Sequence, residues 1–151
     1  MIPVTVRPYQ NEDFSAVSHL EKSGLHETYR SSVFVRQMAV ICPETFLVAL
    51  LEDEPVGYTV GALVQNDPGE AWILRMGVRQ DQRRNGVGII LLSELLGIFS
   101  GNGVHTVRLT VSPWNVPAMG LYLKAGFVHE TYAPAYFGGD EDRIIMRKIC
   151  G

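Results

Sequence analysis

The sequence predicts an α/β domain built on a mixed, mostly antiparallel sheet, and two features of its middle third carry that prediction. Two β-rich runs, Phe46 to Leu51 and Val56 to Val64, are separated by the polar turn Glu52-Asp53-Glu54-Pro55, and Gln65-Asn66-Asp67-Pro68-Gly69 leads into a third run, Ala71 to Val78. Short polar turns between such runs mark hairpins, so three antiparallel strands in a meander are expected. The third strand is followed by a glycine-containing basic turn, the apolar helical run Val87 to Phe99, and a further strand over His105 to Val111. A strand–helix–strand crossover is right-handed and joins parallel neighbours, so one parallel pair is expected within the sheet.

The remaining elements follow in order. Val4-Thr5-Val6-Arg7 alternates and is β-branched, which predicts a first strand closed by Pro8. Asn11 is placed to cap a helix over about Glu12 to Lys22: Glu12 and Asp13 suit the first turn, Phe14, Val17, Ser18, Leu20 and Glu21 follow helical spacing, and Gly24 suits its end. Ser31 or Ser32 caps a short second helix over Val33 to Val40, which Pro43 ends. Past the fifth strand, Asn115 caps a fourth helix with Pro117 in its first turn; it runs to Ala125 and stops at Gly126. Two last strands, Phe127 to Thr131 and about Arg143 to Lys148, bring the expected total to seven strands and four helices.

Composition narrows the function classes. A chain of 151 residues, 46% of them hydrophobic, makes a single domain over 1–151, long enough to bury roughly two-thirds of its unfolded surface. A net charge of -3 argues against a general nucleic-acid binder, which needs a basic face rather than one basic turn. No apolar run reaches the roughly 18–20 residues of a membrane helix, so no membrane role is expected. Cys42 and Cys150 have neither CxxC nor metal spacing, and Met1-Ile2-Pro3 begins no export signal, which points to a reduced, cytoplasmic protein. His19, His26, His105 and His129 lack metal-ligand spacing, so no metal is expected, and Trp72 and Trp114 are expected to pack.

The chemistry concentrates in Arg83-Arg84-Asn85-Gly86-Val87-Gly88, between the strand ending at Val78 and the helix that follows. A helix opens with N–H groups that have no intrahelical acceptor and lie at the positive end of its dipole, so a phosphate satisfies several donors together. Gly86 and Gly88 carry no Cβ to hold the anion away, and Arg83 and Arg84 add charge-assisted donors. There is no G-x-x-x-x-G-K-[ST] and no G-x-G-x-x-G after a first strand, which excludes a P-loop and disfavours a dinucleotide fold. The remaining pattern is R-x-x-G-x-G.

That turn, followed about thirty residues later by Asn115-Val116-Pro117-Ala118-Met119-Gly120-Leu121-Tyr122-Leu123-Lys124-Ala125-Gly126-Phe127, resembles the GNAT superfamily of acetyl-coenzyme-A-dependent N-acetyltransferases. The element order β-α-α-β-β-β-α-β-α-β-β is similar to that fold, and the resemblance covers essentially the whole chain. It implies a V-shaped opening between the strand ending at Val78 and the strand starting near His105. Pantetheine would add its amides to the strand edge at Met76, Gly77 and Val78, as an extra strand does. The pyrophosphate would sit on Arg83, Arg84, Asn85, Gly86, Val87 and Gly88, with Asn115, Ala118 and Tyr122 as further coenzyme contacts. By the same resemblance Tyr122 protonates the departing thiolate; a phenol of pKa about 10 is a competent acid for a thiolate of about 8.5.

The tail Ala135-Tyr136-Phe137-Gly138-Gly139-Asp140-Glu141-Asp142-Arg143-Ile144-Ile145-Met146 resembles the Tyr-Tyr, Glu-Asp-Ala, Met pattern of the protein N-terminal acetyltransferases, including the RimI-like enzymes. There an aromatic pair lines the peptide entrance, which implies substrate contacts for Tyr136 and Phe137. Phe137 stands at the second tyrosine and Arg143 at the usual alanine; the resemblance implies that the missing hydroxyl of Phe137 removes one peptide hydrogen bond. Energetics point to an α-amine acceptor: at neutral pH an amine of pKa near 7.7–8.0 needs roughly 1 kcal/mol to become neutral, and a lysine near 10.4 roughly 4–5. Glu130, His129 or water is the candidate base, and strand alternation sends Glu130 and His129 to opposite faces. The expected acceptor is a protein or peptide N-terminus. A small amine such as a polyamine or amino acid is the alternative, a non-catalytic coenzyme-binding module a third, and the expected state is a monomer or weak homodimer.

Overall fold

A computed structural model describes residues 3–23 and 31–150. Gly24 and His26 lie outside the described residues, as does much of the segment before the second helix. The elements are β1 (Thr5–Pro8), α1 (Phe14–Ser23), α2 (Ser31–Ile41), β2 (Phe46–Leu51), β3 (Glu54–Val64), β4 (Asp67–Val78), α3 (Val87–Gly101), β5 (Thr106–Val111), α4 (Val116–Lys124), β6 (Val128–Ala133) and β7 (Arg143–Ile149). The seven strands form one sheet in the order β1-β2-β3-β4-β5-β7-β6, with β4 and β5 parallel, as the sequence predicts. The chain groups into two compact units, Met1–Ala62 with Arg75–Leu95, and Leu63–Leu74 with Leu96–Gly151.

Both hairpin turns of the meander are tighter than expected. Glu52 and Asp53 take φ 51° and 63°, the pair of positive values that a two-residue turn of matching twist requires, so β3 begins at Glu54 rather than Val56. Pro55 is accommodated inside β3 opposite Leu50, where the register slips by a bulge between Ala49 and Leu50. Likewise β4 begins at Asp67, directly after Gln65-Asn66, and its first residues are exposed enough to tolerate Pro68.

In the first unit, Asp13 is buried at the start of α1. It accepts both Arg7 guanidinium nitrogens, at 2.7 and 3.0 Å, and the Gln10 N–H at 2.9 Å, which ties β1 to the helix. A single 3₁₀ turn, Asn11–Asp13, therefore precedes α1 in place of the expected Asn11 cap. Val17, Val35, Phe46, Val48, Tyr58, Val60 and Leu91 fill the core; each large apolar side chain so buried contributes about 1.5–3 kcal/mol. Gly57 sets the seat of α3: a Cβ there would stand 3.0 Å from Val87 Cγ1, 3.1 Å from Leu91 Cδ1 and 3.2 Å from the Gly77 carbonyl. The absent side chain lets the first turn of α3 rest on the strand.

In the second unit, Phe99, Val107, Leu109, Phe127 and Met146 are buried together as core residues. β4 pairs with β5 over Glu70–Thr106, Ala71–Val107 and Trp72–Arg108, and β5 pairs with β7 from Thr106 to Val111. A chain of ion pairs crosses four strands: Glu70 on β4 to Arg108 on β5, then Glu130 on β6 to both Arg108 and Arg147 of β7. The expected packing role of Trp114 is corrected here. Its ring is 82% exposed in the turn before α4, because Ser112 to Asn115 lies outside the apolar alternation that buries β5.

Candidate active site

The basic turn is held at its base by α3. Val87 is buried and Ile90 N–H bonds the Gly86 carbonyl at 3.1 Å, so the helical bonding starts at Gly86 and the N–H groups of Val87, Gly88 and Ile89 precede the first helical donor. Arg84 and Gly86 both take left-handed backbone, φ 69° and 83°, while Arg83 to Gly86 are exposed. Alternating left-handed residues at a helix start turn successive N–H groups toward one side, which makes an anion-binding concavity. Asn85 Nδ2 donates to Gln82 Oε1 at 3.3 Å and braces the turn. Arg83 Nε donates to the Val78 carbonyl at 3.2 Å, so the structure brings the turn and the end of β4 together.

The end of β4 is gripped from behind. Thr59 Oγ1 donates to the Arg75 carbonyl at 3.0 Å, and Arg79 N–H bonds the Val56 carbonyl at 2.7 Å. The Tyr58 ring fills the space where Gly77 would carry a side chain: a Cβ there would stand 2.6 Å from Tyr58 Cε1. The Tyr58 hydroxyl donates to Glu21, whose other oxygen accepts from Arg75 Nε at 3.4 Å. Sequence reasoning put Glu21 on the apolar face of α1 with Val17 and Leu20 but assigned it nothing; an acid on that face was the available signal.

On the second unit, Asn115 caps α4 as expected, its Oδ1 accepting the Ala118 N–H at 3.2 Å. Tyr122, one helical turn further, is half-buried with its ring edge-on to Phe127 at 6.0 Å, and burial pushes its hydroxyl up to about 12. The hydroxyl therefore stays protonated well above neutral pH.

Glu130 is the extra residue of a bulge, since His129 pairs with Met146 and Thr131 with Ile145. The expected alternation of His129 and Glu130 is interrupted at that point. Both Glu130 oxygens are engaged: Oε1 with Arg108 Nε at 2.9 Å, and Oε2 with Arg147 Nε and Arg108 at 3.4 Å. His129 is exposed, and no group of acids, cysteines and histidines fit to hold a metal occurs among the described residues.

The tail loop is organised by Asp142, part of the tail pattern but given no role from the sequence. Its carboxylate accepts the Tyr132 hydroxyl and the Ala135 N–H, each at 2.7 Å, and these bonds hold it below the usual carboxylate range. Ala135 takes left-handed backbone, φ 51°, and the loop then presents Tyr136 and Phe137 as an exposed T-shaped pair 4.9 Å apart. Arg143, at the position of the expected alanine, lies 5.0 Å from the Phe137 ring and pairs with Glu141 at 2.8 Å.

The model of the acetyltransferase (GNAT) family matches residues 6–127 of this chain. The chain belongs to that family. This GNAT chain is 28% identical over 120 residues to an L-2,4-diaminobutyric acid acetyltransferase of Shouchella clausii, covering 80% of this chain and 67% of that one. Over 88 residues it is 35% identical to the [ribosomal protein bS18]-alanine N-acetyltransferase of Escherichia coli, covering 56% of this chain and 60% of the relative. Among solved structures, Ard1 from Thermoplasma volcanium superposes with a TM-score of 0.89 at 28% identity, over 98% of each chain. The GNAT fold read from motif order is thus the fold the chain adopts.

Proposed function

We propose that this single GNAT domain transfers the acetyl group of acetyl-coenzyme A to the α-amine of a protein or peptide. The observation that carries the donor half is the Arg83–Gly88 turn, a left-handed basic loop opening α3 directly behind the strand edge Met76–Val78. In this reading the pyrophosphate takes the N–H groups of that turn with Arg83 and Arg84, and pantetheine bonds the β4 backbone. Asn115 and Ala118 contact the coenzyme, and Tyr122 is the hydrogen-bond donor to the sulfur. The amine nitrogen would attack the thioester carbonyl carbon, forming the C–N bond as the C–S bond breaks, and the departing thiolate, hydrogen-bonded by Tyr122, would take its proton from water. Because Glu130 is committed to two guanidinium groups, the amine's proton goes to water, which the sequence left open beside His129.

Two observations support an α-amine acceptor: the exposed Tyr136–Phe137 pair on its ordered loop, and the similarity to the bS18-alanine enzyme. A small diamine is the second reading, favoured by the match to the diaminobutyric acid acetyltransferase over most of this chain. Thiol release from acetyl-coenzyme A, measured with peptides of free and blocked N-termini beside 2,4-diaminobutyrate and polyamines, separates them. Release that requires a free peptide α-amine is expected; release with the small amines alone would overturn the peptide reading.

The loop makes a further prediction. In Asp142→Asn one strong acceptor is lost, so the KM for a responsive peptide should rise about tenfold while the KM for acetyl-coenzyme A stays within about twofold. An unchanged peptide KM would remove the loop from acceptor binding.

A further inference from the structure

We propose that Glu21 is a positioning residue that, through Tyr58 and Arg75, sets the backbone of Arg75–Val78 to receive the pantetheine arm. The inference rests on the donor-site reading above. Glu21 is 2% exposed, and its two oxygens serve different partners: one accepts the Tyr58 hydroxyl, the other Arg75 Nε at 3.4 Å. Both partners lead to the same stretch of β4. Arg75 belongs to it, and Tyr58 lies with its ring edge against the bare Cα of Gly77.

A buried carboxylate is costly unless its acceptors are used, so such a residue retains a specific arrangement of its partners or is lost to a hydrophobe. Here the arrangement is of backbone. Residues 75 and 77 direct their side-chain positions to the Tyr58 face, while 76 and 78 direct theirs to the other, leaving the N–H and C=O groups of the strand to lie in the sheet plane. Thr59 and Val56 fix the same stretch through its carbonyl at Arg75 and its N–H at Arg79. Without the Glu21 contact, Tyr58 and Arg75 lose their common anchor, and the stretch is held less firmly against Tyr58. An edge that must match the amides of an incoming ligand tolerates little misplacement.

The test compares coenzyme A with adenosine 3′-phosphate 5′-diphosphate, the part of coenzyme A that lacks pantetheine, by titration calorimetry well below each protein's Tm. In the wild-type chain coenzyme A is expected to bind more tightly than the fragment. Glu21→Gln should weaken coenzyme A about tenfold and leave the fragment within about twofold, because the phosphate turn is untouched. Tyr58→Phe keeps the ring on Gly77 and removes only the hydroxyl, so it should show the same selective loss even where Glu21→Gln folds poorly. Phe99→Leu, a core change at the far end of α3, should lower Tm without altering the ratio of the two affinities. Lower Tm in Glu21→Gln and Tyr58→Phe with the wild-type ratio retained would overturn the positioning role and leave the donor site standing. Equal affinity for the two ligands in the wild type would overturn the pantetheine reading and this inference with it.

Discussion

Tyr122→Phe is expected to lower kcat about a hundredfold, the lower end of what removing one hydrogen-bond donor to developing charge costs, with acetyl-coenzyme A affinity within about twofold. The ring keeps its edge contact with Phe127, so the helix should lose little stability. With its hydroxyl pushed up to about 12, Tyr122 is a weaker acid than an ordinary tyrosine, so complete transfer to a thiolate of pKa about 8.5 would cost roughly 5 kcal/mol rather than about 2. In the proposed mechanism its contribution is therefore a hydrogen bond to the sulfur as charge develops there. Such a donor has no alkaline limb below about pH 11, so kcat/KM for a peptide should rise through the α-amine pKa near 8 and stay level to about pH 10. A fall between pH 8 and 10 would assign the limb to another group. The linkage sign is that of a raised folded pKa: the stabilisation is complete below the ordinary tyrosine value near 10 and is lost as pH climbs toward about 12.

The second large effect is structural. Gly77→Ala should destabilise the chain by about 1–3 kcal/mol, a Tm fall of roughly 3–10 °C, because the new Cβ meets Tyr58 Cε1 at 2.6 Å. The ring has nowhere to go: Tyr58 is 1% exposed and its hydroxyl is held by Glu21. Shrinking the obstacle should restore part of the loss, so the Tyr58→Leu/Gly77→Ala double variant is expected to be more stable than the two single effects added together. Additive losses in calorimetry would mean that the strand, not the ring, gives way.

Motif-scale features were legible because their physics is local. The Arg83–Gly88 turn announces itself by residues that only a left-handed loop and a helix start need, and Asn115 by its place before Val116-Pro117. Strand and helix runs follow from periodicity, and the parallel β4–β5 pair from the hand of a crossover. Several site features had no such local signature. Glu21 meets Tyr58 37 residues away and Arg75 54 residues away, and no spacing rule connects them. The bulge at Glu130 depends on the register of β6 against β7, and the pairing of that carboxylate depends on Arg108 of a third strand. Asp142 reads as one acid among three until the chain folds back and presents it with the Tyr132 hydroxyl and the Ala135 N–H.

The division is therefore between contacts within one turn of chain and contacts that close long loops. Backbone angles, caps and periodicity belong to the first kind, and they were enough to specify the seven strands and four helices of the described residues and the basic turn before α3. Which buried acid props the β4 edge, which carboxylate is taken up by arginines, and which aromatic is left on the surface belong to the second. They are decided by competition among partners that meet only once the sheet has formed, where desolvation forces every buried polar group to find one.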